Sequence, residues 1–256
     1  MKRIFMSALL AVSACLPAVS AATNLPDAIA QAKSSIVGVG TQLMTRRPPA
    51  LLRGTGFVVA DGKHVLTNYH VLPEALDSEH REVLVVFSGT GDMQTLHTAR
   101  VIASDPEHDL ALLRIDGRPL PALQLDAEVE VREGERLLLT GFPVGAVLGL
   151  YPATSQAMVS AITPIAIPVP TTQSLNAASI KRLRTPYLVY QLDAIAYPGN
   201  SGSPLYRAAD LKVVGVINAV LVKESKEAAL ERPTAISYAI PIKFALPLLE
   251  KIGSTP

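Results

Sequence analysis

Apolar residues along the chain fall mostly in short runs closed by Gly, Pro, Asp or Asn. They read GFVVADG (56–62), HVLTNYHV (64–71), VLVVFSG (83–89), ARVIAS (99–104), LALLRIDG (110–117), ERLLLTGFP (135–143), YLVYQLD (187–193), KVVGVINAVLV (212–222) and AISYAIP (235–241). Runs of this length, rich in Val, Ile, Leu and Tyr and punctuated by turn residues, predict strands. Many strands in succession with few helical patterns predict an all-β barrel or sandwich. Helix signals lie at the edges. Asn24 can cap a helix through LPDAIAQAKSS, a second fits KESKEAALE (223–231), and a third fits IKFALPLLEKI (242–252), interrupted by Pro247. The two prolines of DGRPLPALQLD (116–126) mark a linker between two halves. A proline-punctuated stretch over 163–186 reads as a surface loop, with gating or a partner contact as the alternatives.

The start of the chain has a different character. Lys2 and Arg3 precede the apolar run IFMSALLAVSACL, followed by Pro17 and AVSAA. A basic start, a short apolar stretch and small residues at the end predict a secretory signal peptide over 1–21, cleaved after Ala21. The run is too short to span a bilayer. Loss of Lys2 and Arg3 leaves 21 basic and 22 acidic residues, a balance that gives no reason to expect nucleic acid or an anionic membrane as partner. The single cysteine, Cys15, lies inside the predicted signal, so the mature chain is expected to hold no thiol. In a competing reading, Val12-Ser13-Ala14-Cys15 is a lipobox and Cys15 the lipidated first residue.

Three short motifs carry chemistry. In GNSGSP (199–204), glycines flank Ser201 and let the backbone turn so that two N–H groups face one way. That is what a serine nucleophile needs beside the oxyanion it creates. Alone the string is also compatible with an ordinary turn. The α/β-hydrolases use a similar string, but their acid and histidine follow the serine. Here no histidine follows, so the base must come earlier. His70 sits in VLTNYHVL, whereas His64, His80, His97 and His108 lie in polar, turn-like surroundings and read as exposed. Asp109 opens the apolar run LALLRI, where an unpaired charge would be costly. Asp105, its rival, precedes Pro106 and reads as a turn residue.

Taken together, TNYHV, HDLALLRI and GNSGSPL resemble the chymotrypsin-like serine peptidases, whose chain order is His, Asp, Ser. The resemblance spans roughly 35–245 and implies two six-stranded Greek-key barrels with a short C-terminal helix. It places the first barrel near 35–116, a linker at 117–127 and the second barrel near 128–245, within a peptidase domain over 22–256. The strings GTGFVV, LDAIAYPGNSGSPL, VVGVINA and SYAIPI are most similar to the disulfide-free, bacterial HtrA-type branch. A PDZ domain of that branch would need about 90 residues beyond Pro256.

Carried over residue by residue, the resemblance makes His70, Asp109 and Ser201 the catalytic triad, with the N–H groups of Gly199 and Ser201 as oxyanion hole. It implies no cofactor and no metal. Ile195, Ala196 and Tyr197 before the serine, and Asn218, Ala219 and Val220 after it, would wall the primary substrate pocket. An acid at its base would select Lys or Arg, but Ile195 stands there. Asp193 matches an aspartate that HtrA-type enzymes carry. Glutamyl endopeptidases share GNSGSP but have a histidine where this chain has Ile217. The pocket therefore implies cleavage after small or medium aliphatic residues in unfolded or exported polypeptides, with the periplasm as the expected compartment. A catalytically silent binding module and a lipid-anchored envelope assembly factor are the other readings.

Overall fold

The computed structural model describes residues 24–91, 93–145, 149–165, 186–218 and 237–253. Twelve strands form two closed antiparallel barrels. The first contains β1 (Ile36–Gln42), β2 (Ala50–Val59), β3 (His64–Asn68), β4 (Val83–Ser88), β5 (Thr95–Asp105) and β6 (Leu110–Ile115), joined in the order β1-β2-β3-β6-β5-β4. The second contains β7 (Arg136–Gly141), β8 (Ala153–Pro164), β9 (Leu188–Leu192), β10 (Pro204–Tyr206), β11 (Val213–Asn218) and β12 (Ser237–Pro241), in the order β10-β11-β12-β9-β8-β7. The expected all-β, two-barrel class is the observed one.

The unbroken apolar runs have a packing reason. A strand's side chains alternate between its two faces, so a run apolar at every position must bury both. In the first barrel Val58, Val65 and Leu113 pack into one core, while their neighbours Phe57, Leu66 and Leu112 pack into another. That second core also takes Leu138, Phe142, Tyr206, Val213 and Val216 from the other barrel, so it is the layer between the two. Leu137, Leu139, Val214 and Ile217 fill the second barrel's own interior. A truncation in the shared layer, such as Leu112→Ala, removes a fully buried side chain and costs about 2–5 kcal/mol.

The linker is strapped to both barrels. Leu120 N–H donates to Gly62 O and Leu123 N–H to Val58 O, while Leu125 bridges Val213 in parallel. Helix α1 (Leu25–Lys33) follows Asn24, which contributes its carbonyl to Ala28 N–H but no side-chain cap. The C-terminal segment is not one interrupted helix. A 3₁₀ turn (Ile242–Ala245) leads into a four-residue helix α2 (Leu246–Leu249), whose first turn holds Pro247, where a missing N–H does no harm. The helix expected over 223–231, and most of the loop expected over 163–186, lie outside the described residues; β8 itself runs on to Pro164. Three strands were absent from the apolar pattern: β1, β8 and β10. β8 reads ATSQAMVSAITP and buries little besides Ala157 and Val159, and β10 is three residues long.

Three histidines are not the exposed surface residues that their polar neighbours suggested. His97, on β5, is half-buried, with Nε2 2.8 Å from Ser88 Oγ across to β4. His64 opens β3, is 4% exposed and pairs through Nδ1 with Asp61 at 2.7 Å. His108 joins Tyr187 and Phe244 in a three-ring cluster, with ring centroids 4.6 and 4.1 Å from its own and 5.0 Å from each other, and its Nδ1 meets Asp105 at 2.6 Å. Neighbours in sequence could not reveal Tyr187 and Phe244, which arrive from the far end of the chain.

Candidate active site

His70 and Asp109 come from the first barrel. Asn68, the last residue of β3, is followed by a 3₁₀ turn, Tyr69–Val71, which lifts the His70 ring out of the barrel wall. Arg53 holds the end of that turn, donating from Nε to Val71 O at 2.7 Å. Asp109 occupies the β5–β6 turn with φ +54°, a left-handed conformation that non-glycine residues seldom adopt. Its carbonyl is fixed by Tyr69 N–H at 3.1 Å and Asn68 Nδ2 at 3.0 Å.

The Asp109 carboxylate is buried yet fully engaged. Oδ1 accepts the His70 backbone N–H at 2.9 Å. Oδ2 accepts His70 Nδ1–H at 2.6 Å and Asn218 Nδ2–H at 2.6 Å. A carboxylate on Nδ1 selects the tautomer that carries its proton there and leaves Nε2 as an acceptor. The imidazole is 29% exposed, open to a reacting group.

Ser201 comes from the second barrel, in the tight loop ahead of β10, and is 5% exposed. Gly199 and Gly202 have φ +99° and +87°. A Cβ on Gly199 would sit 2.2 Å from Phe142 O, and one on Gly202 2.0 Å from Thr55 O, so only glycine fits either place. The N–H groups of Gly199 and Ser201 have no acceptor among the described residues, whereas those of Asn200, Gly202 and Ser203 are bonded to Tyr197 O, Ile217 O and Asn200 O. Ser201 Oγ and His70 Nε2 do not share a hydrogen bond. In enzymes of this chemistry such bonds often tighten only with substrate in place.

The expected pocket residues are divided. Ile195 and Tyr197 are partly exposed, and Ala196 packs into the second barrel's core. Ile217 is wholly buried in that core. The Asn218 side chain is 3% exposed and reaches across the barrel boundary to Asp109. Its place after five apolar residues of β11 gave no sign of that partner. Ala219 and Val220 lie outside the described residues. Asp193 accepts Met158 N–H at 2.5 Å through its carboxylate, on the outside of the barrel. No group of three His, Cys, Asp or Glu poised for a metal occurs among the described residues, and no helix among them is long and apolar enough to cross a membrane.

Similar proteins share this architecture. A probable periplasmic serine endoprotease DegP-like from Pseudomonas fluorescens is 30% identical over 201 residues, covering 78% of this chain and 35% of the relative. Its counterpart from Ectopseudomonas mendocina is 29% identical over 207 residues, covering 81% of this chain and 36% of its own length. The chain thus spans about a third of the curated relatives it matches. Among solved structures, the HtrA-type protease AlgW with tripeptide superposes with a TM-score of 0.64 at 27% identity, over 90% of this chain and 63% of that one. A serine endoprotease from Yersinia pestis gives 0.61 at 25% identity, over 91% and 68%. The family of the trypsin-like peptidase domain matches residues 54–216, from the middle of β2 through the histidine, aspartate and serine motifs into β11, and this HtrA-like chain belongs to it.

Proposed function

We propose that this chain is an exported serine endopeptidase with His70, Asp109 and Ser201 as its triad. The observation that carries the reading is the doubly bonded His70–Asp109 pair together with a serine loop whose Gly199 and Ser201 N–H groups have no acceptor among the described residues. Ser201 Oγ attacks the scissile carbonyl carbon while its proton passes to His70 Nε2. Asp109 keeps Nδ1–H in place and stabilises the imidazolium. The carbonyl oxygen becomes an oxyanion held by the N–H groups of Gly199 and Ser201. Collapse breaks the C–N bond, and His70 returns the proton to the departing amine. Water then attacks the acyl-enzyme, giving a proton to His70, which passes it to Ser201 Oγ as the ester C–O bond breaks and the carboxylic acid leaves.

The relatives are named periplasmic endoproteases, which supports the periplasm as compartment and polypeptides as substrates. The aliphatic character of Ile195, which is partly exposed ahead of the serine loop, supports a preference for small or medium apolar side chains before the cut. A buried methylene gains about 0.8 kcal/mol there, while a charge would lose its hydration uncompensated.

Ser201→Ala tests the assignment. Loss of a triad serine lowers turnover by roughly 10⁶ in a comparable enzyme. Reaction with a fluorophosphonate should disappear while the circular dichroism spectrum stays unchanged. A variant that retains more than a few per cent of parental hydrolysis overturns the triad.

A further inference from the structure

Thr55 lies on β2 of the first barrel, is wholly buried, and touches the serine loop of the second barrel on both sides of Asn200. Its N–H donates to Ser201 O at 2.8 Å. Its hydroxyl donates to Gly199 O at 2.6 Å and accepts Phe142 N–H at 3.0 Å, so the proton and an acceptor site of that hydroxyl are both committed. Its carbonyl accepts Thr67 Oγ1–H at 2.7 Å, which ties it back to β3. Gly199 has φ +99°, in a region where glycine moves freely, so the direction of its peptide planes must be imposed from outside. The plane before it is held through Pro198 O, which accepts Val144 N–H at 2.8 Å. The plane after it is held at both ends, its carbonyl by the Thr55 hydroxyl and its N–H, that of Asn200, by Tyr197 O at 2.9 Å.

We propose that Thr55 is a positioning residue for the oxyanion hole. Its hydroxyl fixes the Gly199 carbonyl, and with it the backbone that runs between the two N–H groups of the hole, those of Gly199 and Ser201. It joins that carbonyl to Phe142 N–H, so the loop after β7, which also supplies Val144, is locked to the serine loop through a first-barrel side chain. The inference rests on reading Gly199 and Ser201 as the hole.

The test compares Thr55→Val and Thr55→Ser. Valine keeps the shape but leaves Gly199 O and Phe142 N–H without a buried partner. Serine keeps the hydroxyl and loses one methyl. Two quantities are measured well below the melting temperature: the fluorophosphonate labelling reaction, split into its limiting rate and half-saturation concentration, and turnover of fluorescent unfolded casein. In labelling, the Ser201 Oγ–P bond forms, the P–F bond breaks, fluoride leaves and the hydroxyl proton passes to His70. For Thr55→Val the limiting rate and casein turnover should fall about 10- to 100-fold, less than or equal to loss of a whole hole donor. Half-saturation should stay within about twofold, the sign of an interaction made in the transition state. Thr55→Ser should restore both to within about threefold of the parent. If Thr55→Val does not fold, Thr55→Cys, with a weaker donor of similar size, should fall between serine and parent on one side and total loss on the other. A folded Thr55→Val or Thr55→Cys with parental rates overturns the proposal, as does a loss that serine fails to rescue. Ser201→Ala run alongside keeps the outcomes distinct: residual activity there defeats the triad, whereas an inert Ser201→Ala with an unaffected Thr55→Val defeats only the role of Thr55.

Discussion

Removing the Asn218 amide should slow the reaction without altering which substrates bind. Asn218 Nδ2 and His70 Nδ1 share Asp109 Oδ2, each at 2.6 Å, in a place where the carboxylate is 7% exposed. A hydrogen bond to a buried charge contributes about 1.5–3 kcal/mol. If Asn218→Ala withdraws that support from the state in which His70 is an imidazolium, kcat should fall by roughly 10- to 150-fold. KM should be little changed, because no substrate atom is touched. Asn218→Asp adds a pH signature. Two carboxyls this close cannot both ionise readily, so one holds a shared proton to a higher pH than an isolated acid would. While that proton is present, the new carboxyl can still donate to Asp109; once it leaves, two anions face each other. Activity of Asn218→Asp should therefore be retained best at the acid end of the working range and fall as pH rises, relative to the parent at each pH. The assay is steady-state cleavage of an unfolded protein from pH 5 to 9, with kcat and KM separated. If Asn218→Ala keeps kcat and instead changes KM or the residue preferred before the cut, Asn218 is a pocket residue and the reasoning fails.

Cleavage sites in a denatured protein mixture should cluster after Val, Ala, Leu or Ile; a dominant Lys, Arg or Glu would refute the pocket reading. Acid should weaken the first barrel through Glu82, whose carboxyl is held below its ordinary value of 4.5 chiefly by hydrogen bonds from Thr41 and the Asp77 N–H, with burial opposing them and Arg46 adding a lesser pull downward. A lowered folded-state value means the stabilisation is present above pH 4.5 and lost as pH falls through that lowered value. The urea midpoint of Glu82→Gln should thus lie below the parent at pH 7 and converge on it in acid, and a pH-independent gap would contradict this.

The strands that bury both faces were legible from their sequence, because a continuous apolar run such as LALLRI has no other way to avoid water. β8 was not, since a strand that exposes most of its residues needs few large side chains, and ATSQAMVSAITP supplies few. The triad motifs were legible because each joins a chemical group to a local backbone demand: glycines around Ser201, a buried strand behind Asp109. Asn218 and Thr55 were legible only as members of strands. Their roles depend on partners 109 and 144 positions away, which a local pattern does not encode. The misreading of His108 has the same origin, since its surroundings are made by Tyr187 and Phe244 rather than by Glu107 and Asp109.

The division of the site between barrels explains why those long-range contacts sit where they do. A nucleophile in one barrel and its base in the other are aligned only as well as the barrels are docked. Apolar packing in the shared layer supplies docking energy but little directional control, since burial is largely indifferent to small rotations. Hydrogen bonds are directional, and the side-chain bonds donated by Asn218 and Thr55 run in opposite senses. Asn218 of the second barrel fixes Asp109 of the first, and Thr55 of the first fixes the loop of Ser201 in the second. Each barrel thereby sets the geometry of the other's reactive group. A shift of one barrel against the other would break both bonds and leave buried polar atoms unpaired on both sides, a larger penalty than either alone. His108 adds a third tie immediately before Asp109, stacking on Phe244 of the C-terminal segment and against Tyr187 beside β9. The left-handed backbone at Asp109 is kept in place from both ends: by His108 in its cluster with Tyr187 and Phe244 before it, and by the Asn68 and Tyr69 bonds to its own carbonyl.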